Sequence, residues 1–182
     1  MSSLFNPLKP HTPLAPHASH EPLAPHKLHP LFLGSDHAGW DMKEAIQTML
    51  ETEGYEVHDL GDETFDPNDD YPDFGYAVAK QVAEDPLARG ILFCGNAQGI
   101  CITANKVKGI RAGTGYNVYA VKTMRTDDDT NVLCLPGRVI STEEAKEMVH
   151  IWLKTPFSGE ERHMRRLEKI KKIEDMGGLT KK

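Results

Sequence analysis

From residue 31 onward the chain alternates between two hydrophobic periods, and that alternation limits the folds open to it more than any other feature. "LFLGSD" (31–36) is a short apolar run ending in a turn, as a buried strand does. Met42, Ala45, Ile46, Met49 and Leu50 then recur at helical spacing and give one apolar face. "YEVHDLG" (55–61) reads as a strand and "DFGYAVAKQVAE" (73–84) as a helix. "GILFC" (90–94) is a second fully apolar strand, with a helix predicted over Ile100–Val107. "GIRAGT" (109–114) and "NVLCLP" (131–136) read as further strands, separated by a helix around Val118–Met124. Ala145, Met148, Val149 and Trp152 mark another helix, and 160–175 a last, basic amphipathic one.

Strands alternating with helices imply βαβ crossovers and a parallel sheet covered on both faces. The expected fold is therefore a three-layer α/β/α domain with a doubly wound, Rossmann-like, five-stranded parallel sheet. Ligands in such sheets sit beyond the carboxyl ends of the strands. Asp36-His37, Asp70-Tyr71, Cys94-Gly95-Asn96, Asp127-Asp128 and Gly137-Arg138 are all expected just after or near those ends, where one crevice collects them.

The chain has 182 residues, enough for one domain with a real core, plus a tail. The tail is 1–30, which holds seven of the twelve prolines, five of the nine histidines and two copies of "PLAPH". Such a segment buries little apolar surface and reads as an extended or irregular arm; 31–182 is the folded domain. No apolar run approaches the roughly 18 residues a membrane span needs, and the N-terminus has no secretory signal pattern. Three cysteines without such a signal favour reduced thiols and a cytoplasmic location. The net charge of −6 argues against nucleic acid or an anionic membrane as a partner. Residues 151–182 nevertheless carry nine Lys/Arg against five Asp/Glu, a local basic surface suited to a small anion.

"CGNAQG" (94–99) ends a strand on a cysteine and turns at once into a helix. Backbone N–H groups and the positive helix end there favour a thiolate, and the same groups suit an oxyanion or a phosphate. The stretch is neither a P-loop nor a GxGxxG fingerprint. Cys101, inside a helix, and Cys134, inside a strand, read as packing thiols. In "GSDHAG" (34–39), Asp36 suits either a helix cap or a site carboxylate, and His37 either a phosphate contact, a proton relay or plain solvent exposure. Asp66, Asn68 and Asp70 resemble the start of a calcium loop, but Tyr71 stands where glycine is obligatory; Asp127, Asp129 and Asn131 fail at Val132. No metal site is expected. Arg162 and Arg166 are four apart, share a helix face with His163 alongside, and fit either a phosphate grip or a solvated basic face.

Taken in order, "GSDHAG", "DYPD" (70–73), "CGNAQGICITANKVKGIRA" (94–112), "DTNVL" (129–133), "GRVI" (137–140) and "RHMRR" (162–166) resemble the type B ribose-5-phosphate isomerases and the related galactose-6-phosphate and allose-6-phosphate isomerases. The resemblance covers about residues 31–175. It implies an aldose–ketose isomerase of a small phosphorylated sugar, working through a cis-enediolate without metal or organic cofactor. It also implies a homodimer, or a tetramer, with active sites drawn from both subunits. By the family pattern Cys94 is the base, the turn from Gly95 through Asn96 to Gly99 is the anion hole, and Asp36, His37 and Tyr71 line the sugar site. Arg138 binds phosphate together with Arg162, His163 and Arg166 reaching across the dimer, and Asp127 and Asp128 stand at the ring-opening position.

Two departures from the family pattern follow. Asn96 and Ala97 replace the usual Thr/Ser and second glycine of the anion-hole loop, and alanine resists positive φ. Where the family commonly has His-Asn-Asp, this chain has Asp127-Asp128-Asp129. A carboxylate is a weaker base than imidazole at neutral pH, unless burial or a neighbouring charge raises it. Three readings remain open: Asp127 opens the sugar ring, the substrate is a four-carbon sugar phosphate that needs no opening, or the fold binds sugar phosphate without catalysis. A nucleotide- or flavin-binding domain rests on fold analogy alone and lacks the fingerprint.

Overall fold

The computed structural model describes residues 29–177, and the alternation resolves there into five strands and six helices. In chain order they are β1 Leu31–Ser35, α1 Trp40–Thr52, β2 Val57–Asp59, α2 Tyr71–Glu84, β3 Arg89–Cys94, α3 Gln98–Ala104, β4 Ala112–Thr114, α4 Val118–Thr126, β5 Val132–Pro136, α5 Thr142–Lys154 and α6 Glu161–Asp175. The sheet is parallel throughout, in the order β2-β1-β3-β5-β4. This is the α/β/α doubly wound fold expected from the sequence. Apart from His29 and Pro30, the Pro/His-rich arm lies outside the described residues.

The two faces of the sheet can be read from strand alternation. Leu31 and Leu33, Ile91 and Phe93, and Leu133 and Leu135 pack with α1, α4 and α5 around the buried Trp152. Leu92 and Cys94 of β3, with Val132 and Cys134 of β5, point the other way onto α2 and α3. The central strands are apolar on both faces because helices cover both.

The edge elements are shorter than the sequence suggested. The helix predicted over Ile100–Val107 starts two residues earlier and stops at Ala104. Asn105 caps it, donates to Cys101 O (3.0 Å) and Ala112 O (2.9 Å), and accepts from Ala112 N (2.9 Å), which ties the helix end to β4. Ala97, just before α3, takes a left-handed conformation with φ 62°. The turn keeps the shape a glycine would favour, and the alanine accepts a strain of about 1–2 kcal/mol. Its buried methyl offsets part of that by packing against the α3 core.

Two glycines bring the turns together. A Cβ on Gly39 would lie 2.5 Å from the Phe93 carbonyl carbon and 2.8 Å from Cys94 N. One on Gly137 would lie 2.8 Å from Ala38 O. No rotamer change relieves a clash with backbone. Gly39→Ala is therefore expected to destabilise the fold by at least ~3 kcal/mol, with a matching drop in the urea midpoint.

Candidate active site

At the carboxyl ends of the strands, three turns converge on Cys94. The β1–α1 turn is organised by Asp36, a buried carboxylate whose Oδ1 accepts from Ala38 N (3.0 Å) and Gly39 N (3.1 Å). His37 is held by Asp69, whose Oδ1 accepts from His37 N (3.0 Å) and lies 2.6 Å from Nδ1. The β3–α3 turn is fastened to the one after β5: Gly137 N donates to Cys94 O (2.9 Å) and Arg138 N to Gly95 O (3.1 Å). The Arg138 side chain passes beside Gly95, with Nη1 3.5 Å from where a Cβ would be. Asn96 Oδ1 accepts from Gln98 N (3.1 Å) and so shapes its own turn.

Tyr71 opens α2 and lays its ring over Gly99, where an added Cβ would stand 2.5 Å from Cζ and 2.9 Å from Oη. The absence of a side chain at 99 thus lets the phenol reach the start of α3.

The Cys94 thiol sits between opposing influences. Burial pushes it up to about 11, assisted by the hydrogen bond to Asp36 and by that carboxylate's charge. The N–H groups of Asn96 and Gly95 pull the other way and favour the thiolate, as the sequence suggested, but they are outweighed. The free site therefore keeps the proton on sulfur. Cys101 behaves differently: its contacts with Cys134 and Thr114 pull it down to about 7, although it is packed inside α3.

Asp127 and Asp128 are not in this crevice. Asp127 caps the carboxyl end of α4 and precedes β5, so it lies at the amino ends of the strands. Asn131 O accepts from Gly90 N at the start of β3 (2.9 Å), whereas Cys94 pairs with Pro136 at the far end of β5. The intervening strand puts the two groups on the order of 15 Å apart. The single crevice expected from the sequence is thus two half-sites on opposite poles of one chain.

The amino-pole half is assembled on Asp129, which takes φ 45°. Its carboxylate accepts from Arg111 (2.8 Å) and from the fully buried Arg125 (2.9 Å), and Arg125 also donates to Thr130 O (2.5 Å). Above that anchor, Asp127 Oδ1 accepts from Thr126 Oγ1 (2.7 Å). Burial, then the Asp127 charge, raises the Asp128 carboxyl above its usual range, against the pull of His163, Arg166 and Arg111. From α6, Arg162 bonds Glu160 Oε2 (2.8 Å) and is exposed, as is Arg166. His163 is buried in its own chain, with Nδ1 2.9 Å from Ser158 Oγ and 3.8 Å from Asp127 Oδ1.

Among the described residues no group of three or more His, Cys, Asp or Glu side chains is placed to hold a metal ion. Nor, among them, is any helix long and apolar enough to cross a membrane. Sequence reasoning placed Gly137 near the strand ends and quoted Gly39 within GSDHAG without giving either its packing role, and it missed Asp69 and Ser158 as supports. Asp69 lay inside an acidic run read only against a calcium loop, and nothing local marks Ser158.

The model of the Ribose/Galactose Isomerase family matches residues 31–170. This chain belongs to that family. The probable ribose-5-phosphate isomerase B of Mycoplasma pneumoniae is 39% identical over 142 residues, covering 78% of this chain and 93% of that one. The D-erythrulose-4-phosphate isomerase of Pectobacterium atrosepticum is 38% identical over 127 residues, covering 70% and 84%. Among solved structures, the Mycoplasma genitalium ribose-5-phosphate isomerase B with bound ribulose 5-phosphate superposes with a TM-score of 0.80 at 40% identity, covering 82% of this chain and 99% of that one. Family membership extends over both half-sites, and the arm lies before the matched region.

The Gly99–Tyr71 contact gives a clean test of the carboxyl-pole half. In Gly99→Ala the ring must swing away, but it is the free end of a half-exposed side chain, so the thermal midpoint should move by only a few degrees. Ligand affinity should fall several-fold in a calorimetric titration with ribose 5-phosphate. In a Cys101→Ser background, Asp36→Asn removes both an acceptor and a negative charge from the Cys94 thiol. The rise in iodoacetamide alkylation rate with pH should then begin at lower pH than in the Asp36 protein.

Proposed function

We propose that this family member interconverts an aldose phosphate and its ketose, ribose 5-phosphate and ribulose 5-phosphate in the first instance, with Cys94 as the base. The observation that carries the reading is the surrounding of Cys94: a carboxylate on its thiol, N–H groups aimed at its sulfur, and an arginine and a tyrosine at the rim. Moving a proton between adjacent carbons needs a base at the carbon and donors where negative charge develops.

The thiol proton passes to Asp36 along their hydrogen bond, which leaves a thiolate beside the bound sugar. The thiolate takes the C2 proton of the open-chain aldose. Negative charge moves to the carbonyl oxygen, where N–H groups of the Gly95–Gly99 turn receive it. The 2-hydroxyl proton then moves to O1 as C2=O forms, the proton on sulfur passes to C1 to give the ketose, and Asp36 returns its proton to the sulfur. His37, held by Asp69, and Tyr71 orient the hydroxyls.

For a ring sugar, Asp127 opens the furanose first. It takes the anomeric hydroxyl proton and returns it to the ring oxygen as the bond from C1 to that oxygen breaks. With the halves at opposite poles, one chain cannot do both steps. A two-fold dimer that sets the amino pole of one copy against the carboxyl pole of the other completes two sites at once. Arg162 and Arg166 then meet the phosphate from the partner, facing Arg138.

The four-carbon reading has its own support in Asp127 and in the similarity to a D-erythrulose-4-phosphate isomerase. A tetrose whose O4 carries phosphate closes no furanose, so both sugars belong in the assay. Purified protein should convert at least one of them and exchange solvent deuterium into it. Cys94→Ala and Arg166→Ala should each lose about 10²-fold or more in kcat/KM while remaining folded. Mixing and re-equilibrating the two inactive proteins should restore roughly a quarter of wild-type activity, because half the dimers then hold one intact site. No recovery on mixing would rule out the shared site; no turnover of either sugar by the wild type would leave a binding protein.

A further inference from the structure

His163 is the one member of the amino-pole half whose placement does not suit a surface phosphate grip. Its ring is 1% exposed, while Arg162 and Arg166 on the same helix face solvent. Nδ1 takes a hydrogen bond with Ser158 Oγ at 2.9 Å and lies 3.8 Å from Asp127 Oδ1. Nε2 is buried with no partner among the described residues, a costly arrangement for an imidazole nitrogen. Ser158 is itself fixed, because its N–H donates to Thr126 O (3.1 Å), next to Asp127. The imidazole is therefore wedged behind the carboxylate. Asp127, by contrast, is 41% exposed, and its Oδ1 accepts from Thr126 Oγ1.

Resting on the reading of Asp127 as the ring-opening group, we propose that His163 is its positioning residue: the buried imidazole, braced by Ser158, fixes the Asp127 carboxylate for the furanose-opening step. The chemistry explains why such support is needed. A carboxylate that shuttles a proton from the anomeric hydroxyl to the ring oxygen must be ionised, aimed and able to release the proton again. Asp128 beside it carries like charge, and the negative end of α4 adds to it. The His163 imidazole, 3.8 Å from Asp127 Oδ1 and braced by Ser158, restricts which way that carboxylate can face. His163 thus acts through Asp127 and does not touch the sugar.

This assignment predicts a dependence on substrate form that neither packing nor phosphate binding would produce. Ribose 5-phosphate must be opened; D-erythrose 4-phosphate has no furanose to open. In His163→Asn, the ratio of kcat on ribose 5-phosphate to kcat on D-erythrose 4-phosphate should fall by roughly tenfold or more, with KM for both changed little. Ser158→Ala, which leaves the imidazole in place but unbraced, should shift the ratio in the same direction by less, and serves if His163→Asn does not fold. Asp127→His puts an imidazole at the ring-opening position itself, and in that background the ratio should no longer respond to His163→Asn.

An equal loss on both sugars in a folded variant would overturn the proposal in favour of a structural role. A rise in KM for both would overturn it in favour of a phosphate contact. Wild-type protein that isomerises only the tetrose phosphate would also overturn it, while sparing the isomerase reading. Turnover of neither sugar would overturn that reading and the proposal with it.

Discussion

Three strand-to-helix turns approach one another at backbone distance across the carboxyl pole, and the chemistry of this chain depends on that approach. Gly39 lets the first turn lie on the Phe93–Cys94 backbone, and Gly137 lets the last lie on Ala38. The hydrogen bonds from Gly137 and Arg138 to Cys94 and Gly95 then lock the sheet end to the loop. Asp36 reaches the Cys94 thiol only because its turn is pressed against the next strand.

That arrangement sets the electrostatic character of Cys94. A free-standing cysteine at a helix start tends toward the thiolate. Here burial and Asp36 reverse the preference, and the sulfur is held as a thiol. An uncharged resting thiol reacts sluggishly with stray electrophiles and oxidants, so the carboxylate beside Cys94 protects it. Cys101, pulled toward a neutral-range pKa by Cys134, lacks such a guard and relies on burial alone.

Most of the fold was legible because each core strand and helix carries its own period. "GILFC" and the Met42–Leu50 face need no tertiary information to be read. The short edges were harder: β4 keeps three residues because Asn105 claims the chain before it, and no local period records that. In the site, Cys94, Asp36 and Arg138 were placed by the rule that ligands lie beyond strand ends. Asp127 was misplaced by the same rule, although its position after a helix and before a strand marks the amino pole of a parallel unit. His163 was legible as a residue type but not as a buried one. Its cover comes from Ser158 and Asp127, which meet it only in three dimensions. The left-handed Ala97 could not be read at all, since alanine gives no sign of the conformation it is forced into.

The anchor beneath the amino-pole half has one more implication. Asp129 and Thr130, gripped by Arg111 and Arg125, hold the loop from below, and Asp128 joins them through its carbonyl, which accepts from Arg111 Nε, not through its side chain. A loop secured in this way can exchange the residues at its crest without refolding beneath them. A change of side chain at position 127 is thus inexpensive for the scaffold. Ancestry can preserve such a frame while selection rewrites which sugars it accepts, one exposed side chain at a time.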